Sequence, residues 1–201
     1  MSDSSFPPRT ATVERATTET EVSVDLTVDG DGTYDVDTGV GFFDHMLELF
    51  AKHGGLDLTV RCEGDLAVGE HHSVEDVAIG LGRALRQALG DKTRIARYGH
   101  AYVPMDDALA RAVIDLSGRS YCRMEAAFDR DRVGDLATEM VEHVWRSVAE
   151  HARCNLHLTV LRGHNDHHKI EALFKAAARA LRAAARRSPD RAEVASTKGT
   201  L

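Results

Sequence analysis

An internal repeat restricts the fold of this chain more than any other feature of its sequence. Residues 166–182, DHHKIEALFKAAARALR, align with residues 70–86, EHHSVEDVAIGLGRALR, at a constant offset of 96. Upstream, DHMLELFAKH (44–53) aligns with EHVWRSVAEH (142–151) at an offset of 98, and each is followed by a β-rich run, LDLTVRC or NLHLTVL. Loop insertions produce small offset changes of this kind, so the sequence predicts a tandem duplication with halves of about ninety residues.

Each half has the pattern of an α+β unit. The stretch EVSVDLTVDGDG alternates apolar and polar residues and then reaches a Gly-rich turn, which predicts a half-buried strand and a hairpin. ALARAVIDLSGR (108–119) occupies the equivalent place in the second half. Each half is predicted to run strand, strand, strand, helix, strand, helix, an order that favours a sheet on one side and helices on the other. We expect one compact unit with a first repeat over 9–91, a second over 92–187 and a C-terminal tail over 188–201.

Composition narrows the class of protein. The formal net charge of -7 argues against a nucleic-acid binder with a basic surface, and no apolar run reaches the length of a membrane span. The N-terminal MSDSSFPPRTATVER lacks the apolar core of a signal peptide. Three widely spaced cysteines (Cys62, Cys122 and Cys154) fit reduced packing thiols better than a disulfide framework. We therefore expect a cytoplasmic protein that binds neither nucleic acid nor membrane.

The repeated histidines predict a metal centre. Side chains four residues apart share a helix face, so His71 with Glu75, and His167 with Glu171, are each spaced to chelate one ion. Neighbouring side chains diverge by about 100°, which sends His72 and His168 elsewhere. With His45 and His143 added, the set holds six imidazoles and two carboxylates, enough for two ions with four protein ligands each. Such ions keep open positions, as catalytic sites require, and the ligands suit Zn, Fe, Ni, Co, Cu or Mn.

The same argument predicts which residues share an ion. A lone histidine pair is usually solvated, but solvated residues have no physical reason to keep their spacing to a glutamate in both halves. We call His72 and His168 the crossed histidines, because each is expected to reach the ion opposite to that of its neighbour. The ligand sets are then His71, Glu75, His143 and His168 for one ion, and His45, His72, His167 and Glu171 for the other. No spacing rule fixes the allocation of His45 and His143. His53 and His151 either line the site or cap their helices, whereas His100, His157 and His164 are interpreted as surface or structural.

Five motifs carry a family resemblance. GVGFFDHML, HHSVED, DLSGR, HHKIEALFKAAARAL and STKG, within a match from about Arg9 to the C-terminus, resemble imidazoleglycerol-phosphate dehydratase in its single-function form, without an added phosphatase domain. The resemblance implies two fused repeats, each a four-stranded sheet with two helices on one face. It also implies two Mn²⁺ ions per active site, with active sites at subunit interfaces of a large closed homo-oligomer, a 24-mer in this family.

The resemblance further implies a reaction and its residues. D-erythro-imidazoleglycerol phosphate loses water to give imidazole acetol phosphate in histidine biosynthesis, with the substrate ring bound as imidazolate by the two metals. Glu19, in ATTETEVSV, matches the base that takes the C–H proton, and it is grouped as catalytic with His71, His72, His167 and His168. The residues implied for substrate and phosphate binding are Arg97, Arg119, Ser196, Thr197 and Lys198, with Glu19, His53 and Lys175 as further candidates. Lys175 is also placed for an ordinary helix pair with Glu171.

Two other classes of function also use clustered histidines. A hydrolase with a dinuclear metal centre predicts a bridging carboxylate, whereas this ligand set is mostly imidazole. A metal-storage protein predicts no turnover and leaves both Glu19 and the STK segment without a role.

Overall fold

The computed structural model describes residues 6–187, 193–199 and 201. The first half contains β1 (Thr10–Ala16), β2 (Thr20–Thr27), β3 (Tyr34–Asp37), α1 (Gly41–Gly54), β4 (Asp57–Gly64) and α2 (His71–Leu89). The second half contains β5 (Tyr98–Met105), β6 (Ala108–Asp115), β7 (Tyr121–Glu125), a short hairpin of β8 (Arg132–Val133) and β9 (Leu136–Ala137), α3 (Glu139–Ala152), β10 (Asn155–Arg162) and α4 (Asp166–Ala185). The predicted order of elements occurs twice, with the β8–β9 hairpin as an addition to the second half.

Two four-stranded sheets have the same topology. Their orders are β1-β2-β4-β3 and β5-β6-β10-β7, and in each the last strand lies parallel to its neighbour. Val13 pairs with Val24 in the first sheet and Ala101 with Ala112 in the second, so the hairpins match at a constant offset of 88. The α+β class and the repeated half are therefore confirmed.

The Gly-rich turn after β2 does not close a hairpin, contrary to the prediction. β2 forms its hairpin with the preceding strand β1, and the chain after the turn crosses to the far side of β4, where β3 pairs in parallel. The Asp57 side chain accepts hydrogen bonds from the amides of Asp31 and Thr33 at 3.0 Å each, which turns the chain towards β4 rather than back along β2.

One core joins the two halves. The inward side chains of β2, Val22, Val24 and Leu26, are buried beneath α2. Helices pack across the halves, α1 against α4 and α2 against α3, so that the four helices form a layer between the two sheets. The Trp145 ring lies 5.8 Å from that of Phe50 and 4.6 Å from that of Phe174, measured between centroids.

The structure also bears on the predictions about the cysteines and about membrane spans. All three cysteines are free, and burial raises the pKa of Cys154 to about 12, which fits a packing thiol. None of the described helices has the length and apolar character needed to cross a membrane. The repeat boundaries at residues 9, 91 and 187 stay predictions, and residues 188–192 and 200 of the predicted tail lie outside the described residues.

Candidate metal centre

Cross-half helix packing brings the predicted ligands together near the helix N-termini. His71 is the first residue of α2 and His167 the second residue of α4, while His45 and His143 lie in the second turn of α1 and α3. Because α1 contacts α4 and α2 contacts α3, each half contributes to both groups of ligands.

The first group, the α2–α3 cluster, consists of His71, Glu75 and His143. One ligand atom from each of these residues lies within 4.8 Å of the others. His143 Nε2 is 2.9 Å from Glu75 Oε1, and the His71 and His143 ring centroids are 4.9 Å apart. These are three of the four residues predicted for one ion.

The second group, the α1–α4 cluster, consists of His45, His167 and Glu171. One ligand atom from each of these residues also lies within 4.8 Å of the others. Glu171 Oε2 lies 3.1 Å from His167 Nε2 and 3.7 Å from His45 Nε2. Burial on its own would raise the pKa of Glu171, but the Lys175 ammonium, 2.5 Å from its other oxygen, holds that pKa below its usual range. Lys175 therefore makes the helix pair that its spacing predicts.

The crossed histidines belong to neither cluster of the described chain. The His72 ring centroid lies 6.1 Å from that of His71, and the His168 centroid 6.0 Å from that of His167. His72 Nδ1 is 3.1 Å from both carboxylate oxygens of Asp65 and 3.7 Å from Glu19. His168 Nδ1 is 2.6 Å from Asp107 Oδ1. In the described chain, the fourth predicted ligand of each ion is therefore paired with an aspartate and lies outside both clusters.

Asp65 and Asp107 were missed by the sequence analysis. Neither has a spacing to a histidine that marks it as a partner, because each lies in a loop that only the fold brings near. The strand register contains a signal for one of them, since an offset of 88 places Glu19 on Asp107.

The donor set of each cluster fits a divalent transition ion. Two imidazoles and a carboxylate provide nitrogen and oxygen ligands, a combination that transition metals accept and that Mg²⁺, which prefers oxygen ligands, does not. Three protein ligands also leave coordination positions for a further histidine and for substrate.

A single segment, residues 127–138, ties together the helix N-termini that carry these ligands. Asp135 accepts hydrogen bonds from the amides of Gly41 and Phe42 at the start of α1, at 2.7 and 2.9 Å. At the start of α2, Glu70 accepts one from the Ala137 amide at 3.0 Å. At the start of α4, Asp166 accepts two, from the amides of Asp129 and Arg130. α3 follows directly from the segment.

The predicted phosphate contacts gather at the opposite end of α4. The Arg97 amide donates to the Ala184 carbonyl at 2.9 Å, and its guanidinium binds Asp115 and the Ala195 carbonyl, the latter at 2.6 Å. Ser196 follows Ala195 and its hydroxyl accepts from the Lys198 amide at 3.2 Å. Thr197, Lys198 and Arg119 are exposed, and Leu201 lies against Gly118, beside Arg119.

His53 lies in the last turn of α1, the helix that packs against α4. Its imidazole is half-buried, and burial together with the charges of Lys175 and Arg179 lowers the pKa of His53. Glu171 acts in the opposite direction. His53 is therefore close enough to α4 to sense these charges, and its role in the site stays a prediction.

Comparisons with known proteins point to one family. A family model described as imidazoleglycerol-phosphate dehydratase matches residues 38–181. The chain is 81% identical to the protein of that name from Salinibacter ruber, with 100% of each chain covered, and 54% identical to that from Chloroherpeton thalassium, with 98% of this chain and 100% of the other covered. A crystal structure of the dehydratase from Staphylococcus aureus matches with a TM-score of 0.81 and 38% identity, covering 89% of this chain and 99% of that one. A second structure, from Pyrococcus furiosus in complex with (S)-C348, matches with a TM-score of 0.82 and 34% identity, covering 94% and 100%.

Proposed function

The chain belongs to the imidazoleglycerol-phosphate dehydratase family, a family of hydro-lyases, and we propose that it converts D-erythro-imidazoleglycerol phosphate to imidazole acetol phosphate in histidine biosynthesis. The observation that carries this proposal is the pair of matched clusters, each with two imidazoles and one carboxylate. A cytoplasmic location is part of the proposal and agrees with three free cysteines.

Two manganese ions per active site would be held by the two clusters. The α2–α3 cluster offers His71, Glu75 and His143 to one ion, and the α1–α4 cluster offers His45, His167 and Glu171 to the other. When bound, the ions supply Lewis acidity that favours the deprotonated substrate ring and the departure of its hydroxyl group. His168 and His72 would complete the two ligand sets from a neighbouring copy, because in their own described chain they lie outside both clusters and are paired with Asp107 and Asp65.

The distance between the clusters and the phosphate candidates supports a site shared between copies. Along α4, His167 and the Ala184 carbonyl that binds Arg97 are separated by about 25 Å, at about 1.5 Å per residue. The substrate's ring and phosphate are joined by a short carbon chain that does not span this distance. One active site using both groups therefore takes its metal ligands and its phosphate ligands from different copies. The proposed assembly is a closed homo-oligomer of 24 chains.

Glu19 is the proposed base. Both backbone polar groups of Glu19 are hydrogen-bonded within the protein. Its N–H donates to Thr17 Oγ1 and its carbonyl accepts from the Asp65 amide, both at 3.1 Å. These two bonds fix the backbone, while the Glu19 side chain is 51% exposed and free to reach a substrate beside His72. The carboxylate takes the proton from the carbon one removed from the ring. The C–H electron pair forms a double bond to the carbon next to the ring, whose hydroxyl leaves as water with a proton from solvent, and the resulting enol tautomerises to the ketone of the product.

The substrate's phosphate would be bound by Arg119, Ser196, Thr197 and Lys198, with Arg97 holding the tail in place. Lys and Arg supply charge, and the Ser and Thr hydroxyls supply short directed hydrogen bonds. Arg97 supports this assignment indirectly, because its bond to the Ala195 carbonyl sets the position of Ser196.

A direct assay tests the proposal. Purified protein loaded with Mn²⁺ should consume imidazoleglycerol phosphate and release the acetol product. The matched control is the same protein with Mg²⁺, which imidazole ligands bind poorly, and it should be inactive. Absence of turnover at full manganese occupancy would overturn the proposed reaction, and full activity with Mg²⁺ would overturn the proposed ligand set.

A further inference from the structure

Each crossed histidine is held by a carboxylate at the same ring nitrogen. Asp107 Oδ1 lies 2.6 Å from His168 Nδ1, and both oxygens of Asp65 lie 3.1 Å from His72 Nδ1. An ionised carboxylate only accepts hydrogen bonds, so Nδ1 must carry the proton in each ring. The Nε2 lone pair is then directed away from that carboxylate; in His168, Nε2 lies 3.5 Å from Asp106 Oδ2 without a hydrogen bond to it.

On the basis of the proposed function, we propose that Asp65 and Asp107 are positioning residues that fix the tautomer and direction of His72 and His168, so that each Nε2 binds an ion on a neighbouring copy. Metal-binding histidines commonly donate their other N–H to a carboxylate, which orients the ring and makes it a better ligand. Neither aspartate touches the ion itself.

Asp107 divides its two oxygens between two tasks. Oδ1 faces His168, whereas Oδ2 accepts hydrogen bonds from the amides of His164 and Asn165 at 2.5 and 3.1 Å. Those amides belong to the loop that leads into α4. The Asp107 side chain therefore fixes both the loop that leads into α4 and the His168 ring.

The strand registers show that the two halves hold their crossed histidines with residues from different elements. Asp107 is the register equivalent of Glu19, because the hairpins match at an offset of 88. Asp65 follows β4. After the register shift between Val160 and Arg162, the offset between β4 and β10 is 99, which places His164 at the equivalent position. The second half thus uses the residue before β6, and the first half uses the residue after β4.

Because Asp65 orients His72 in the first half, Glu19 is not needed for that contact. Because Asp65 holds His72 at 3.1 Å, the Glu19 carboxylate is left at 3.7 Å and is more exposed, at 51% against 29% for Asp65. The position equivalent to Glu19 in the second half is occupied with orienting His168. The duplicated fold therefore provides one carboxylate for proton transfer and two for orientation.

The sharpest test is Asp107→Asn. The one remaining oxygen should stay with the two loop amides, which turns the side-chain NH₂ towards His168 and requires Nδ1 to accept. The proton then moves to Nε2, which no longer binds a metal. We expect one of the two manganese ions per chain to bind 10–100-fold more weakly and the other to bind as in wild type, by titration calorimetry.

A second readout needs no metal. In metal-free protein labelled with ¹⁵N-histidine, the His168 resonances should change from the Nδ1–H to the Nε2–H tautomer in Asp107→Asn. Asp57→Asn is the matched control, because Asp57 also accepts hydrogen bonds from loop amides but, within the described part of the chain, none from a histidine. It should leave both ions and all histidine tautomers unchanged.

Asp65 gives a contrasting result. Both its oxygens face His72, so Asp65→Asn can still turn its oxygen to Nδ1 and should cost little, whereas Asp65→Ala should weaken the other ion 10–100-fold. Equal affinities for two ions in wild type, Asp107→Asn and Asp65→Ala would overturn this inference and leave the proposed function intact. A wild-type protein that takes up no manganese would overturn both.

Discussion

Two adjacent histidines send two imidazoles in different directions from one helix terminus. The directions of neighbouring side chains differ by about 100°, so His71 joins Glu75 and His143 while His72 leaves that cluster for Asp65. The same divergence separates His167 from His168. This part of the site follows from helix geometry and could be predicted from spacing alone. The carboxylates that receive the crossed rings come from loops, and helix spacing contains no information about them.

Glu19→Gln tests the proposed base. The amide keeps the size of the side chain but does not take a proton, so kcat should fall by about 10²–10⁴ while KM and manganese binding stay close to wild type. Glu21→Gln is the control, because Glu21 is an exposed neighbour on β2 and should leave kcat unchanged. A large rise in KM with unchanged kcat would instead assign Glu19 to substrate binding.

At the scale of elements, the periodicity of the sequence predicted which side chains are buried but not which strands pair. The alternation in β2 predicted which side chains face the core, and Val22, Val24 and Leu26 are all buried. It did not predict that β3 pairs in parallel with β4, since this depends on a strand that comes later in the chain. The β8–β9 hairpin was also missed, because strands of two residues are too short to show a period.

The segment 127–138 gives a prediction about α1. The N-cap of this helix, Val40, has no side-chain oxygen, and Asp135 from the other half accepts the first two amides in its place. Asp135→Ala should lower the free energy of unfolding by about 1 kcal/mol, as loss of a helix cap does. Chemical denaturation measures this, and Asp131→Ala, a change at an exposed residue of the same segment, is the control.

The effect of Asp135→Ala should depend on pH. Burial would raise the pKa of Asp135, but hydrogen bonds from the Phe42 and Gly41 amides hold it below its usual value. A lowered carboxyl pKa stabilises the fold above the unfolded pKa of about 4, and this contribution is lost as pH falls through the folded pKa. The difference between wild type and variant should therefore shrink in acid. A difference that is constant from neutral to acid pH would show that the charge has no part in it.

The C-terminal tail gives a prediction about substrate affinity. Deleting residues 196–201 removes the Ser196 hydroxyl and the Lys198 charge from the proposed phosphate site, and each charged hydrogen bond contributes about 1.5–3 kcal/mol. KM should rise at least about tenfold, with a smaller change in kcat. Glu193→Gln, an exposed change in the tail before this segment, should leave KM unchanged. Wild-type kinetics in the deletion variant would exclude the tail from phosphate binding.

At the scale of the whole molecule, the halves are alike in fold and both contribute residues to each cluster. Each cluster takes residues from both halves, because α1 packs on α4 and α2 on α3. The phosphate candidates lie at the far end of α4, beside Ala184. The repeat in the sequence predicted two similar halves, but the separation of these groups depends on packing. It could not be predicted from spacing along the chain.

Removing the metal tests whether the ions also hold the assembly together. If each ion takes three ligands from one copy and a crossed histidine from another, chelation breaks contacts between copies at every site at once. EDTA treatment should therefore abolish activity and reduce the particle mass measured by light scattering, and Mn²⁺ should restore both. Mg²⁺ should restore neither, because the ligands are mainly imidazoles. His72→Ala combined with His168→Ala should give the small particle even with Mn²⁺ present, since the double variant removes both ligands that reach a neighbouring copy and leaves the two clusters of its own chain complete. An unchanged mass after complete metal removal, with activity lost, would mean that other surfaces hold the copies together and that the crossed histidines act only in catalysis.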